Sequence, residues 1–255
     1  MLLKIRDEQM KIFEQAAQRN FAGEMVGHVR QFAPRHSKII GEHGVRQVVG
    51  MGMERARRYG LNNRGPVRFY IELMFMLGSD FDTDPQYPWA SEVLNESNCP
   101  DQSERADRLF RGATDYFEKV SGPGNKHEME AMRRATRIRF EDLPTLKGSN
   151  TDELVNHLNG IHRQKCKYIG RNVLIALIQR GEQLAKERDL SHGAGTAVFV
   201  CLMFLFGHGC FTDPMFPWIE EKGDAPITDP RERARNLYSR MGEYLANALA
   251  SMEKS

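Results

Sequence analysis

Long apolar runs are missing from this chain: the most apolar stretch, Ala197 to Phe206 (AVFVCLMFLF), is half the roughly 20 residues needed to cross a bilayer and reads as a buried helix. Cysteine is scarce. The four present (Cys99, Cys166, Cys201 and Cys210) form no CxxC pair, which argues against a zinc ribbon or a disulfide framework. Reduced, buried thiols and a cytoplasmic setting are the simpler expectation. An excess of one charge is lacking too, because 36 Lys and Arg face 34 Asp and Glu, a net charge of +2. So weak a field favours neither nucleic acid nor an acidic membrane as partner. The opening MLLKIRDEQMK has no apolar core of a signal peptide, so Sec export is not expected. No P-loop, GxSxG or dinucleotide fingerprint occurs. Neither strict apolar alternation nor hairpin signals appear, which removes the usual marks of a β protein.

What is there is an ordinary globular composition, 40% hydrophobic and 27% charged, in 255 residues, a length that favours two domains over one. Self-similarity is the strongest signal. LMFMLGSDFDTDPQYPW, from Leu73 to Trp89, aligns without gaps to LMFLFGHGCFTDPMFPW, from Leu202 to Trp218, at an offset of 129 with nine of seventeen positions identical. Both tryptophans fall on one equivalent position. Upstream, EMVGH (Glu24 to His28) meets ELVNH (Glu153 to His157); downstream, at one residue less, ERADRLFRGATDYF from Glu104 meets ERARNLYSRMGEYL from Glu232. The expected organisation is therefore all-α, with two tandem pseudo-symmetric repeats of about five helices each, spanning 1–125 and 126–255. The segment DLPTLKGS, from Asp142 to Ser149, reads as a loop inserted in the second.

Within the first repeat, Met10, Phe13, Ala17, Phe21, Met25, Val29 and Phe32 mark one face of a helix that stops before Pro34. A second helix is expected over Val45 to Tyr59, with Gly60 after its C-terminus, and a third, central one over Pro66 to Leu77. Thr83-Asp84-Pro85 and Thr212-Asp213-Pro214 read as capped turns, in which Asp84, Pro85, Asp213 and Pro214 open short helices carrying Trp89 and Trp218. Amphipathic helices from Ser103 to Val120 and from Asp229 to Met252 close the repeats.

Three groups could carry chemistry. Asp80, Asp82 and Asp84 resemble the opening of an EF-hand loop, but Pro85 stands where Gly is needed and Ser91 where Glu is. Gly209 and Phe211 replace the first two acids in the second repeat. Glu24 with His28, and Glu153 with His157, share helix faces at i, i+4, and Asn150 with Glu153 fits a capping box. The remaining histidines show no ligand spacing. Phe81, Tyr87 and Trp89, with Phe211, Phe216 and Trp218, are rigid aromatics that serve either as a partner-binding surface or as plugs of the core.

Lys4-Ile5-Arg6-Asp7-Glu8-Gln9-Met10, Tyr70-Ile71-Glu72-Leu73-Met74 and the Gly78-x-Asp80-Phe81-Asp82…Pro85…Trp89 block resemble a group of bacterial helical proteins encoded beside type VI secretion spike, PAAR and effector genes. The resemblance covers mainly the first repeat. It implies a cytoplasmic accessory role, an adaptor or chaperone whose protein partner is a secreted effector or spike component, or an immunity protein that binds a cognate toxin. It supplies no catalytic residue. The expectation is thus a non-catalytic interaction module with no metal, no cofactor and no membrane insertion. The rival is a hydrolase-type enzyme with a carboxylate site between the repeats, drawing on Asp80, Asp82 and Asp84 or the Glu/His pairs.

Overall fold

The computed structural model describes residues 7–96, 101–145, 151–191, 193–220 and 228–253. Lys4 to Arg6, Cys99, Asn150 with its capping box, His192 and the part of the inserted segment from Leu146 to Ser149 lie outside them. The chain is all-helical, and no strand forms among the described residues. Among the described residues ten α-helices follow one another: α1 (Asp7–Phe32), α2 (Pro34–Arg58), α3 (Arg64–Leu77), α4 (Pro88–Leu94), α5 (Gln102–Val120), α6 (Lys126–Arg137), α7 (Thr151–Ile161), α8 (Arg163–Glu187), α9 (Gly195–Phe206) and α10 (Pro230–Met252). Short 3-10 turns stand at Pro123–Asn125, Phe140–Asp142 and Pro217–Ile219. None of the described helices is long and apolar enough to cross a membrane.

The core is one continuous cluster drawn from both halves of the chain. At its centre α3 contributes Tyr70, Ile71, Leu73 and Met74, while α9 is buried almost all round from Gly195 to Phe204, as its unbroken apolar sequence requires. Helix α2 crosses α3 with Val45, Val48, Val49 and Ala56 inward. At the crossing Gly52 has no room for a side chain, since a Cβ there would sit 2.7 Å from Ile71 Cγ1. Where α8 meets α9, Gly181 is enclosed in the same way by Val200.

Three expectations change. The second helix begins at Pro34 rather than Val45, because Gly41 (φ 66°, ψ −179°) bends it without ending it. Pro34 therefore stops α1 and opens α2, its ring needing no N–H in a first turn. Along α1 the apolar face is only half used: Met25 and Val29 are buried, Phe21 is half-buried, and Met10, Phe13 and Ala17 are exposed, because α1 packs on α2 and α3 through its later turns. Trp218 sits in a 3-10 turn, whereas Trp89 lies on α4.

Candidate binding cleft and the buried polar junction

Two of the three acids are committed to the fold. Arg55, in the last turn of α2, forms an ion pair with Asp80, lies 3.6 Å from Asp82 and donates to Ser79 O at 2.6 Å. Buried Asp82 also accepts from Tyr70 at 2.7 Å and Tyr59 at 3.0 Å. Burial and then the Asp82 charge push both phenols up, Tyr59 to about 12, so they stay protonated donors. In the second half Leu184, Phe199 and Phe211 stand at the positions of Arg55, Tyr70 and Asp82, and Phe199 stacks on Phe211 with centroids 4.5 Å apart. Where the first stretch carries a polar cluster, the aligned stretch carries an apolar one. Arg55→Met should therefore lower stability by about 2 kcal/mol, by leaving buried Asp82 without its cation; denaturant midpoints of the variant and the parent measure it.

Asp84 and Asp213 do not cap the helices after them; Tyr87 and Phe216 occupy those positions, with no side-chain cap. Each aspartate instead closes its own turn and reaches across to the other half. Asp84 Oδ1 accepts from Gln86 N at 2.9 Å, and its Oδ2 from His208 N at 2.7 Å. Asp213 Oδ1 accepts from Met215 N at 2.9 Å and Ser79 Oγ at 2.7 Å, and its Oδ2 from Ser79 N at 2.7 Å. The two backbone donors bonded across, Ser79 and His208, are themselves 129 residues apart. Gly78 and Gly207, just before them, let the chains approach: a Cβ on Gly78 would lie 2.9 Å from Phe206 O, and one on Gly207 3.3 Å from Leu77 O. Pro85 and Pro214 take the middle of the turns, where no donor is needed.

The Glu/His pairs do not converge on a common site. Glu24 pairs with Arg64, and His28 Nε2 lies 2.7 Å from Glu72, which Arg68 also holds. His157 has its Nε2 buried without a partner, and burial lowers its pKa. Another trio does form, with His162 and Lys165 buried and Glu128 half-buried. His162 lies 3.3 Å from Glu128, and the buried Lys165 donates to Phe204 O in the last turn of α9. Burial pushes the Glu128 carboxyl up, but the His162 hydrogen bond and the charges of His162 and Lys165 hold it below its ordinary value. Among the described residues no three His, Cys, Asp or Glu side chains gather as a metal site.

Phe81, Tyr87, Phe211 and Phe216 are buried, and Trp89 and Trp218 half-buried. Trp89 packs directly on Gly112 of α5. Trp218 is different, because it lines a cleft of about 700 Å3 between the first turns of α2 and the last turns of α10. Its ring stacks on Tyr244 with centroids 5.1 Å apart, and Tyr244 in turn carries the Arg35 guanidinium 4.5 Å over its face. Arg35 also donates to Tyr244 O at 2.8 Å, and Arg240 to Trp218 O at 2.6 Å. Lys38 and Ile39 form the α2 wall, and Glu243 supplies the one carboxylate of the lining. Beneath them His36 Nε2 lies 3.2 Å from Tyr244 Oη, between the edges of Phe75 and Phe216. Burial, then the Arg35 charge, lower the His36 pKa to about 4, so the imidazole is neutral at pH 7.

The sequence position that matches Ile39 at the offset of 129 carries a ring. Tyr168, 129 residues beyond Ile39, sets its ring against Tyr116 at 5.2 Å and donates to Asp115 at 3.3 Å. Ile39 carries no ring. Of the six aromatics singled out in the sequence, only Trp218 lines the cleft; Arg35, Lys38, Arg240 and Tyr244 were not among them. Their signal was slight: Tyr244 is the counterpart of Tyr116, and Pro34-Arg35 opens a helix. Compared with protein-family models, curated proteins and solved structures, the chain matches none.

Proposed function

We propose that the protein is a non-catalytic binding module whose cleft between α2 and α10 holds an acidic segment of a protein partner. The observation that carries this reading is the cleft itself, in which three cations, Arg35, Lys38 and Arg240, surround an indole and a phenol with Glu243 as the one opposing charge. Its volume falls within the roughly 300–1,000 Å3 of ligand sites, and aromatics with arginine are the usual anchors of protein interfaces. The carboxylates of the hydrolase alternative are held instead by Arg55, two tyrosines and backbone amides.

The halves are read as a duplication in two pseudo-symmetric repeats. Support comes from α2 and α8, each 25 residues long and each broken at one glycine, Gly41 (φ 66°) and Gly170 (φ 78°). The bonds exchanged by Asp84 and Asp213 support it as well. On this reading the two α-helical grooves began alike, and one was closed by Tyr168 while the other stayed open. The resemblance to proteins encoded beside type VI secretion genes makes the module a cytoplasmic accessory, an adaptor or chaperone for an effector or spike component.

Arg35→Glu combined with Lys38→Glu should weaken capture of that component at least about tenfold, because it turns a complementary rim into a repulsive one. The thermal midpoint should fall somewhat, because Arg35 also stacks on Tyr244 and donates to its carbonyl, so capture is compared at a temperature where both proteins are fully folded. Affinity capture with each protein as bait, read for secreted effectors and spike components, tests this. Undiminished capture by the charge-reversed protein would refute the cleft. A captured toxin that is silenced by the chain would favour the immunity role.

A further inference from the structure

We propose that a second hollow, at the other end of α2 from the cleft, binds a small monocarboxylate with an apolar body. It lies between α1, the last turns of α2 and the first turn of α3, and has a volume of about 220 Å3. Its floor is apolar: Leu61 and Val67 are buried, and Phe21 and Met53 stand half-buried beside them. Its rim is cationic. Arg57 and Arg64 line it with the side-chain amides of Gln18 and Asn62, and no carboxylate does. The neighbouring arginines already have counterions. Arg64 pairs with Glu24 and lies 4.9 Å over the Phe21 ring, Arg55 pairs with Asp80, and Arg58 pairs with Glu54 at 2.5 Å. Arg57 alone of the four has no ion pair and no side-chain hydrogen bond among the described residues.

That one unpaired guanidinium sets the ligand's charge. Its parallel N–H groups match the two oxygens of a carboxylate, and a single positive charge balances a single negative one. A phosphate dianion would keep one charge unbalanced above a floor that offers it no donor. The floor sets the rest of the ligand, an aromatic or branched body that removes Leu61, Val67 and Met53 from water. Size sets its limit. At roughly 30 Å3 each the hollow holds about seven waters, hence a ligand of about ten non-hydrogen atoms, too small for a nucleotide or a peptide. The walls are already in place. Gln102 Oε1 of α5 accepts from Asn62 N at 2.5 Å and Asn63 N at 2.8 Å, and Arg105 donates to Tyr59 O, so the connection from α2 to α3 is fixed before any ligand arrives. Such preorganisation lowers the ordering cost of binding.

Phenylacetate is the probe, with a ring for the floor and a carboxylate for Arg57. Phenylacetamide keeps its shape without the charge, and acetate keeps the charge without the ring. In the full chain with isotope-labelled methionine methyls, the Met53 signal is identified by its absence from Met53→Leu. Phenylacetate should shift that signal and bind at least about tenfold more tightly than either control. Arg57→Gln should reduce phenylacetate to the affinity of the amide and leave the thermal midpoint unchanged, since Arg57 is exposed. A Met53 signal that stays in place at millimolar phenylacetate would overturn the proposal, as would equal binding of phenylacetamide, or an Arg57→Gln chain that binds phenylacetate as the parent does. Arg35 and Lys38 do not line this hollow, so the cleft variant should bind the probe here as the parent does, and the two sites are tested apart.

Discussion

Asp213→Ala should lower the thermal midpoint by on the order of 10 °C, taking about 4 kcal/mol at roughly 2–4 °C per kcal/mol for a chain of this size. The carboxylate accepts from Ser79 N, Ser79 Oγ and Met215 N, and alanine would leave two backbone donors buried without an acceptor. Each such orphan costs about 1–3 kcal/mol. Asp213→Asn should cost about half as much, since one oxygen still accepts and only the bond to Ser79 N is lost. The two variants should also differ from the parent in pH dependence. Burial raises the Asp213 pKa against the opposing hydrogen bonds of Ser79 and Met215. The folded chain therefore keeps that proton to higher pH than the unfolded chain does. Stability contributed by the protonated group is full below the ordinary aspartate pKa and is lost as pH climbs through the raised one. Asp213→Asn should flatten that decline, and thermal melts at a series of mildly acid pH values would show it. A parent curve that rises with pH there, and becomes steeper in the variant, would contradict the assignment.

The helical class was legible because it depends on local periodicity. The faces of α2, α3 and α5 follow from spacings of three and four residues, and Pro34, Gly60 and Pro88 act within one turn of themselves. Burial along α1 was not legible, since Met10 and Phe13 obey the same period as Met25 and Val29. Whether a stripe is covered depends on what else the chain brings near it. The aspartates show the same boundary. That Asp84 and Asp213 bond nearby amides could be read from Asp-Pro, yet the acceptors' second partners, Ser79 and His208, lie 134 and 124 residues away and leave no local trace. Arg55 could not be joined to Asp80 and Asp82 from sequence, although the replacement of the two acids by Gly209 and Phe211 in the aligned stretch was visible. The cleft was least legible of all. It depends on residues of α2, the turn at Trp218 and α10, more than 170 residues apart in sequence at their ends, which meet only once α2 and α10 are placed side by side.

Gly78→Ala should be nearly as damaging as Asp213→Ala, by about 3 kcal/mol or more, although it adds a single methyl group. Gly78 ends α3 at φ 102°, ψ 151°, a region of the backbone map that is open to glycine and strained for other residues. Its absent Cβ is also the space into which Phe206 O projects, at 2.9 Å, and that atom belongs to the backbone of α9 and cannot swing aside. Relief would require α3 and α9 to separate, which lengthens the bonds from Ser79 to Asp213 and from His208 to Asp84 together. Gly207→Ala shares the strained angles (φ 94°, ψ 154°) but meets Leu77 O at 3.3 Å, so it should cost less. Gly60 supplies the control. It has φ 72° with nothing within 4 Å of its Cβ position, and Asp189 holds the corresponding place in the second half at φ 54°. Gly60→Asn should accordingly be tolerated within about 1 kcal/mol, since Asn and Asp enter the left-handed region readily. Denaturant unfolding of the three variants should rank Gly78→Ala as the most damaging, Gly207→Ala next and Gly60→Asn least. Equal losses at all three would mean that backbone angle alone sets the cost and that the close approach of the two helix ends contributes nothing.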